Sequence, residues 1–426
     1  MTIKRRNFIG MAVLSAGTGV IATINSCNEP SEVAQSKTDT AAKLMTAGVT
    51  PISVSEREAR IAKAQRLLTE QQMQALILDC GTSLRYFTGV DWWPSERTMI
   101  AIIPAKGEVK YICPAFEEDR LREQITIGKE VFVWEEDESP YALTAMVFRD
   151  TGIVAGTVAI EERTRFFIAD GIRKAASHLN FASGDAITIP CRIIKSAHEL
   201  KLMQVATDIT LAAIKKNVSL LREGMTESEL SAMITATQNE LGGLADFALC
   251  LFGQASAFPH GTKNPQQLKK GDIVLMDCGC TVHGYSSDVT RTIVFGAEPT
   301  KRQEEIWNLE KAAQAAGFAA AKIGSSCEEV DKAARKVITD AGFGPDYKTP
   351  GLPHRTGDGI GMDGHEWGNM VKGNKLKLEA GMCFSIEPTI AIPGEFGVRF
   401  EDCVYMTADG PKWFSEPMKS IREPFA

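Results

Sequence analysis

The chain has 426 residues, with 47 Lys and Arg against 54 Asp and Glu, six His and ten Cys. A hydrophobic share of 44% and a charged share of 24% exclude a disordered, a collagen-like or a multi-span membrane chain, and the length suggests two or three domains of roughly 150 residues each. A net charge of -7 argues against a nucleic-acid partner, and the cysteines are too sparse for a disulfide scaffold.

At the N-terminus, Lys4-Arg5-Arg6 precedes a mild apolar stretch, Phe8 to Ile24, broken by Gly10, Gly17 and Gly19. That stretch is short for a spanning helix, which needs about 20 apolar residues. A basic start before a short apolar region is the pattern of an export signal. Arg5-Arg6 followed by Asn7-Phe8-Ile9 resembles a twin-arginine signal. Ile24-Asn25-Ser26-Cys27 resembles a lipoprotein cleavage box, with Asn25 unusual in it. Residues 1–27 are therefore expected to direct export, to a periplasmic or a membrane-tethered state. Membrane contact would run only through a lipid on Cys27. Residues 28–50 are small and polar and read as a tether. The cysteines beyond Cys27 show no framework spacing and read as buried small hydrophobes.

Ser55-Glu56-Arg57-Glu58 reads as a capping box ahead of Ile61, Ala64, Leu67 and Leu68 on helical spacing. Ala75 to Leu78 reads as a buried strand. Trp92-Trp93 follows a predicted strand, as loop anchors or as packing aromatics. Met99 to Ile103 and Val109 to Ile112 read as a hairpin through Ala105-Lys106-Gly107, and Val158 to Ile160 as a further strand. Alternating helices and strands up to about Ile189 suggest an α/β domain. Ser196 to Glu199 and Thr226 to Glu229 are two more capping boxes, each opening a helix. From about residue 250 the chain reads as strand-rich. The domain boundary falls near Pro190 to Ser196, giving a first domain over 51–193 and a second over 194–426.

The chemistry gathers in the second domain. Two apolar runs, Ile273 to Cys280 and Val289 to Phe295, flank a His283-Gly284 turn and predict a β-hairpin. With its midpoint between Val282 and His283, Asp277 and Asp288 stand directly opposite, their Cβ atoms about 5 Å apart. Like charges facing each other on an apolar strand are unfavourable, so a cation belongs between them. Downstream, Gly381 to Pro388 and Gly397 to Asp402 flank a turn centred on Gly394, which sets Glu387 opposite Glu401. Two facing acid pairs among apolar residues point to a divalent metal more than to solvated hairpin faces.

The order Asp277, ten residues, Asp288, a His-containing Gly-rich segment, Ser385-Ile386-Glu387-Pro388 and Gly397-Val398-Arg399-Phe400-Glu401 resembles the pita-bread metallopeptidases: prolidases, Xaa-Pro aminopeptidases and methionine aminopeptidases. The first domain, with Arg85-Tyr86-Phe87-Thr88-Gly89, looks like the creatinase/prolidase-type N-terminal domain and favours the proline-specific branch. The resemblance implies an α+β chain: an α/β creatinase-like domain, then a C-terminal pita-bread catalytic domain. It implies two divalent metal ions, with Asp277 on one, Asp288 and Glu401 bridging, and Glu387 on the other. Glu387 is also the expected proton acceptor from the attacking water. His260 and His365 match substrate-contacting histidines and His354 a further active-site histidine. Arg399, two residues before Glu401, could orient that carboxylate. His178, His198 and His283 have no such match and read as surface or turn residues.

One position departs from the family. Its metal-binding histidine lies four residues after His354, and here that residue is Asp358. The metal ligands become Asp277, Asp288, Asp358, Glu387 and Glu401. All-oxygen ligation moves preference from zinc toward harder ions such as manganese or magnesium, manganese first, with zinc and cobalt as alternatives. Three readings stand: a metal-dependent Xaa-Pro dipeptidase or aminopeptidase acting on proline-containing peptides, a metal-free or altered creatinase-like hydrolase, and a non-catalytic binding protein. The resemblance implies a homodimer.

Overall fold

The computed structural model describes residues 44–425. The expected export signal and most of the tether lie outside the described residues. The last residues of that tether are already part of the fold. The Met45 N–H donates to the Leu241 carbonyl at 2.9 Å, and Met45 and Val49 pack beside Leu202, Met203 and Ile209.

The N-terminal region runs α1 (Val54–Glu70), β1 (Met73–Asp79), α2 (Thr82–Thr88), β2 (Ile100–Pro104), β3 (Lys110–Pro114), α3 (Glu118–Arg122), β4 (Glu130–Trp134), α4 (Pro140–Asp150), β5 (Thr157–Ile160), α5 (Phe166–Ala175), β6 (Asn180–Ser183) and α6 (Asp185–Arg192). Its six strands form one mixed sheet in the order β4-β3-β2-β1-β5-β6. The central strand β1 is apolar on both faces because helices cover both: Leu76 and Leu78 pack under α1, Ala75 and Ile77 against α4 and α5. The first capping box sits two residues earlier than expected. Ser53 is the N-cap, its hydroxyl accepting from the Glu56 N–H while the Glu56 carboxylate takes the Ser53 N–H. Glu56 answers a cap at i-3 only, so the helix starts at Val54.

The tryptophan pair follows helix α2, not a strand. Trp92 is buried with the Arg120 guanidinium 4.3 Å from its ring, whereas Trp93 is 83% exposed.

The C-terminal region comprises α7 (Ala197–Val218), α8 (Glu227–Glu240), β7 (Leu244–Phe252), β8 (Ile273–Val282), β9 (Tyr285–Ser286), β10 (Val289–Val294), α9 (Lys301–Ala320), α10 (Cys327–Asp340), β11 (Gly357–Gly359), β12 (Glu366–Met370), β13 (Cys383–Ile386), β14 (Thr389–Ile392), β15 (Phe396–Arg399), β16 (Asp402–Thr407) and β17 (Gly410–Trp413). The boxes at Ser196 and Thr226 cap α7 and α8 as read. The stretch after residue 250 is not uniformly strand. It contains α9 and α10, both opened by boxes the sequence carries, Thr300 with Gln303 and Ser326 with Glu329.

The sheets are β10-β8-β7 with β9 on β8, β12-β11-β13-β16-β17, and the ribbon β14-β15. Helices α7 to α10 cover them, with fully buried Trp307 of α9 against Phe400 at 4.5 Å between ring centroids. A bridge joins the sheets: Thr290 and Glu401 exchange both backbone hydrogen bonds at 3.2 Å. It carries the first acid-bearing hairpin onto the second. After Cys27, every cysteine is a free thiol and all but Cys80 are buried.

Candidate metal centre

The first hairpin closes differently from the reading above. His283 and Gly284 have φ of 49° and 86°, so they are the two central residues of a type I′ turn, which needs positive φ at both. The midpoint therefore lies between them, one residue later. Asp277 pairs with Thr290, not with Asp288. Continued one step past Val289–Cys278, the same register sets Asp288 across from Gly279. Asp277 and Asp288 remain on one face as diagonal neighbours, because the slip is two residues and the side-chain period is two. The second register is as expected. The ladders before and after the interruption, Ile386 with Asp402 and Thr389 with Arg399, both set Glu387 across from Glu401.

Through the Thr290–Glu401 bridge, oxygens of Asp277, Asp288 and Glu401 lie within 4.8 Å of one another. Asp288 Oδ1 and Asp277 Oδ1 are buried without any hydrogen-bond partner. Glu401 accepts from the Thr290 hydroxyl at 2.8 Å. Burial, then the Glu401 and Asp277 charges, pushes the Asp288 carboxyl well above the usual range. Burial and then Asp277 raise Glu401 to about 8. Glu387 joins the group, pushed up by burial and next by Glu401. Its Oε1 accepts from the Ser385 hydroxyl at 3.0 Å, and its N–H donates to Thr356 at 2.7 Å.

One fully buried cation faces this group. Arg399 pairs with Asp277, donates to the Thr290 hydroxyl at 3.2 Å and to the Pro259 carbonyl at 3.0 Å. Burial works against its charge, but Asp277, Glu387 and Glu401 outweigh it and hold its pKa above normal. Arg399 thus clamps Asp277, while Thr290 links it to Glu401.

Asp358 sits differently. It lies on the short strand β11 between Gly357 and Gly359, where an added Cβ would collide with the Ser385 or Trp367 carbonyl. Its N–H donates to Ser385 Oγ at 2.8 Å. Its Oδ1 is ion-paired with Arg355, and His365 Nε2 stands 3.9 Å from Oδ2. The expected convergence of five free carboxylates is thus three acids together, Glu387 beside them, and Asp358 held by a guanidinium.

The histidines divide as well. His260 and His365 are exposed. His354 is half-buried with both ring nitrogens engaged: Nδ1 lies 2.7 Å from the Arg355 carbonyl, so it donates, and Nε2 lies 2.9 Å from Thr389 Oγ1, so it accepts. Burial and the Arg399 charge push its pKa down to about 3. It is a neutral positioning group. His178 is exposed, His283 forms the turn, and His198 stands 2.8 Å from Glu56. The sequence reading missed Thr290, Ser385 and Arg355. Two of them had a signal, since Thr290 and Ser385 each lie two residues from an acid and so share its strand face.

A divalent cation fits this site. The donors are hard oxygens, two of them are buried and unpartnered, and burial resists ionising Asp288 and Glu401 without a counter-charge. Cavity size does not locate it: a cavity of 890 Å³ lies beside α10, lined by Lys332, Lys336 and Lys372, away from these acids.

Comparison with known proteins places the fold. Residues 201–408 match the metallopeptidase family M24, and residues 60–194 match the creatinase/prolidase N-terminal domain. An uncharacterized peptidase of Schizosaccharomyces pombe is 35% identical over 377 residues, 84% of this chain and 80% of that one. A prolidase from Thermococcus sibiricus superposes with TM-score 0.77 at 29% identity, covering 84% of this chain and 97% of that one. An Xaa-Pro dipeptidase from Bacillus anthracis gives 0.74 at 27%, covering 84% and 98%. The chain belongs to metallopeptidase family M24, in the two-domain, pita-bread form of the prolidases. It is a peptidase of a family that uses divalent metals.

Proposed function

We propose that this protein is a metal-dependent peptidase that cleaves the Xaa-Pro bond of dipeptides or of peptide N-termini. The observation that carries the reading is the buried Asp277, Asp288 and Glu401 trio with two unpartnered oxygens. The relatives named as a prolidase and an Xaa-Pro dipeptidase support the substrate class.

Asp277, Asp288 and Glu401 would hold the metal, with Glu387 beside them. When bound, a divalent ion supplies a water of lowered pKa and polarises the scissile carbonyl. Glu387, anchored through Oε1 by Ser385, receives the proton of the attacking water at Oε2. Arg399 keeps Asp277 oriented. The exposed His260 and His365 meet the peptide, and neutral His354 holds the Thr389 hydroxyl in place. The all-oxygen donor set supports manganese. Export through the twin-arginine-like segment, a lipid on Cys27 and assembly as a homodimer belong to the same proposal. They rest on the N-terminal sequence and the family resemblance.

The test is metal content and hydrolysis of Xaa-Pro dipeptides and longer Xaa-Pro peptides with added manganese, on purified protein. Bound metal with proline-specific cleavage is expected. The absence of both would end the proposal. One observation favours the metal-free, creatinase-like alternative: Asp358 already has its counter-charge in Arg355. Hydrolysis of a small C–N substrate by metal-stripped protein would select it.

A further inference from the structure

We infer that the Arg355–Asp358 ion pair takes the place of one metal, and that this centre binds a single divalent cation at Asp277, Asp288 and Glu401. The inference rests on the metallopeptidase reading and goes beyond it by fixing the number of ions.

Three observations converge. First, the free donor atoms are unevenly spread. Within the acid group the unpartnered buried oxygens belong to Asp277 and Asp288 and not to Asp358 or Glu387; both oxygens of buried Glu310, on α9 near Arg399, are unpartnered as well. Glu387 already takes the Ser385 hydroxyl.

Second, Asp358 is held from three directions. Arg355 pairs with Oδ1, and the Asp358 N–H is tied to Ser385. The Asn369 amide, in the orientation that satisfies both its ends, donates to Asp358 Oδ1 at 3.1 Å and accepts from Arg355 Nη1 at 3.1 Å. Strand β11 is wedged between β12 and β13 by Gly357 and Gly359, so Asp358 is not free to swing. A metal at Asp358, Glu387 and Glu401 would have only Oδ2 of Asp358 to bind, and would stand beside the guanidinium held on Oδ1 of the same carboxylate, where like charges repel.

Third, the acids are unevenly grouped. Among the described residues, Asp277, Asp288 and Glu401 offer oxygens within 4.8 Å of one another, and neither Asp358 nor Glu387 joins that group. An imidazole at position 358 would carry no charge for Arg355 to capture. The Asp, not the site as a whole, thus excludes the second ion.

The experiment uses the full chain, stripped of metal and titrated with manganese(II). Elemental analysis after equilibrium dialysis counts ions per chain, and electron paramagnetic resonance separates isolated from exchange-coupled manganese. One ion per chain with an isolated-ion spectrum is expected. Replacing the pair, Arg355→Leu with Asp358→His, is expected to double the stoichiometry and give a coupled spectrum. Should that variant not fold, Arg355→Gln alone frees Asp358 and is expected to raise uptake above one. Two coupled ions in the unaltered chain would overturn the inference while leaving the metallopeptidase reading intact. No bound metal would overturn both. Folded variants that stay at one ion would show that the pair is not what excludes the second, and would also overturn it.

Discussion

Two buried acid clusters lie close together in this fold and differ in how many cations face them. At the junction of the two domains, Glu366 and Asp363 meet Arg192, Lys195 and Arg163 at 2.6 to 2.9 Å. Burial works to raise the Glu366 pKa, but Lys195 and Arg192 bring it down to about 2. In the metal centre, Asp277, Asp288, Glu387 and Glu401 share the single Arg399, and burial drives the Asp288 and Glu387 carboxyls well up. The first cluster is complete and holds the domains together. The second is short of positive charge, which is the basis for proposing a cation there. Burial alone does not distinguish structural from functional acids, whereas the balance of partners does.

The contrast can be broken from either side. The largest effect is expected for Asp288→Asn. It should lower peptidase activity by about 10³-fold or more through loss of the metal. The metal-free protein should melt about 2–4 °C higher, since one buried like charge is gone. Activity assays and thermal melts on one preparation check both; lower stability would contradict the charge-deficit account. Glu366→Gln does the reverse. It leaves Lys195 buried without a carboxylate and Arg192 with Asp363 alone, and should cost about 3–5 kcal/mol in urea unfolding.

Acid tests the junction without mutation. The folded Glu366 pKa lies below its ordinary 4.5, so its contribution is fully present above about pH 4.5. It is lost as pH falls toward 2, on the order of 3 kcal/mol in all. Stability measured across that window should fall more steeply for the parent protein than for Glu366→Gln. Manganese at about a hundred times its dissociation constant should add about 2.7 kcal/mol to the parent and nothing to Asp288→Asn, as melts with and without metal would record. The smallest change is Thr290→Val, which removes the hydroxyl between Arg399 and Glu401. About a 10–100-fold loss of metal affinity is expected, readable by metal titration, with the fold intact.

Much of this arrangement is legible from local pattern. Ser196 with Glu199 and Thr226 with Glu229 are three-residue devices, and α7 and α8 start where they say. The ribbon centred on Gly394 has a symmetric turn, so the Glu387–Glu401 register follows from counting. The other hairpin defeated counting because its turn centre depends on which residues adopt positive φ. His283 does so beside Gly284, and an imidazole residue does not announce that conformation. Helices α9 and α10 carry boxes of the same kind, but the Gly-rich strands around them dominate the composition of that stretch.

By itself the sequence determined which acids exist, their strand faces, the family and the single departure at Asp358. These follow from spacing of two along strands, caps at i and i+3, and a motif order. Only the tertiary structure decided how much charge each acid faces. Arg355 captures Asp358, Arg399 captures Asp277, and Asp288 is left with an oxygen that nothing satisfies. The Arg399–Asp277 pair joins strands far apart in the chain, and even the local Arg355–Asp358 pair matters through burial, a property of the folded whole that no local pattern of residues carries.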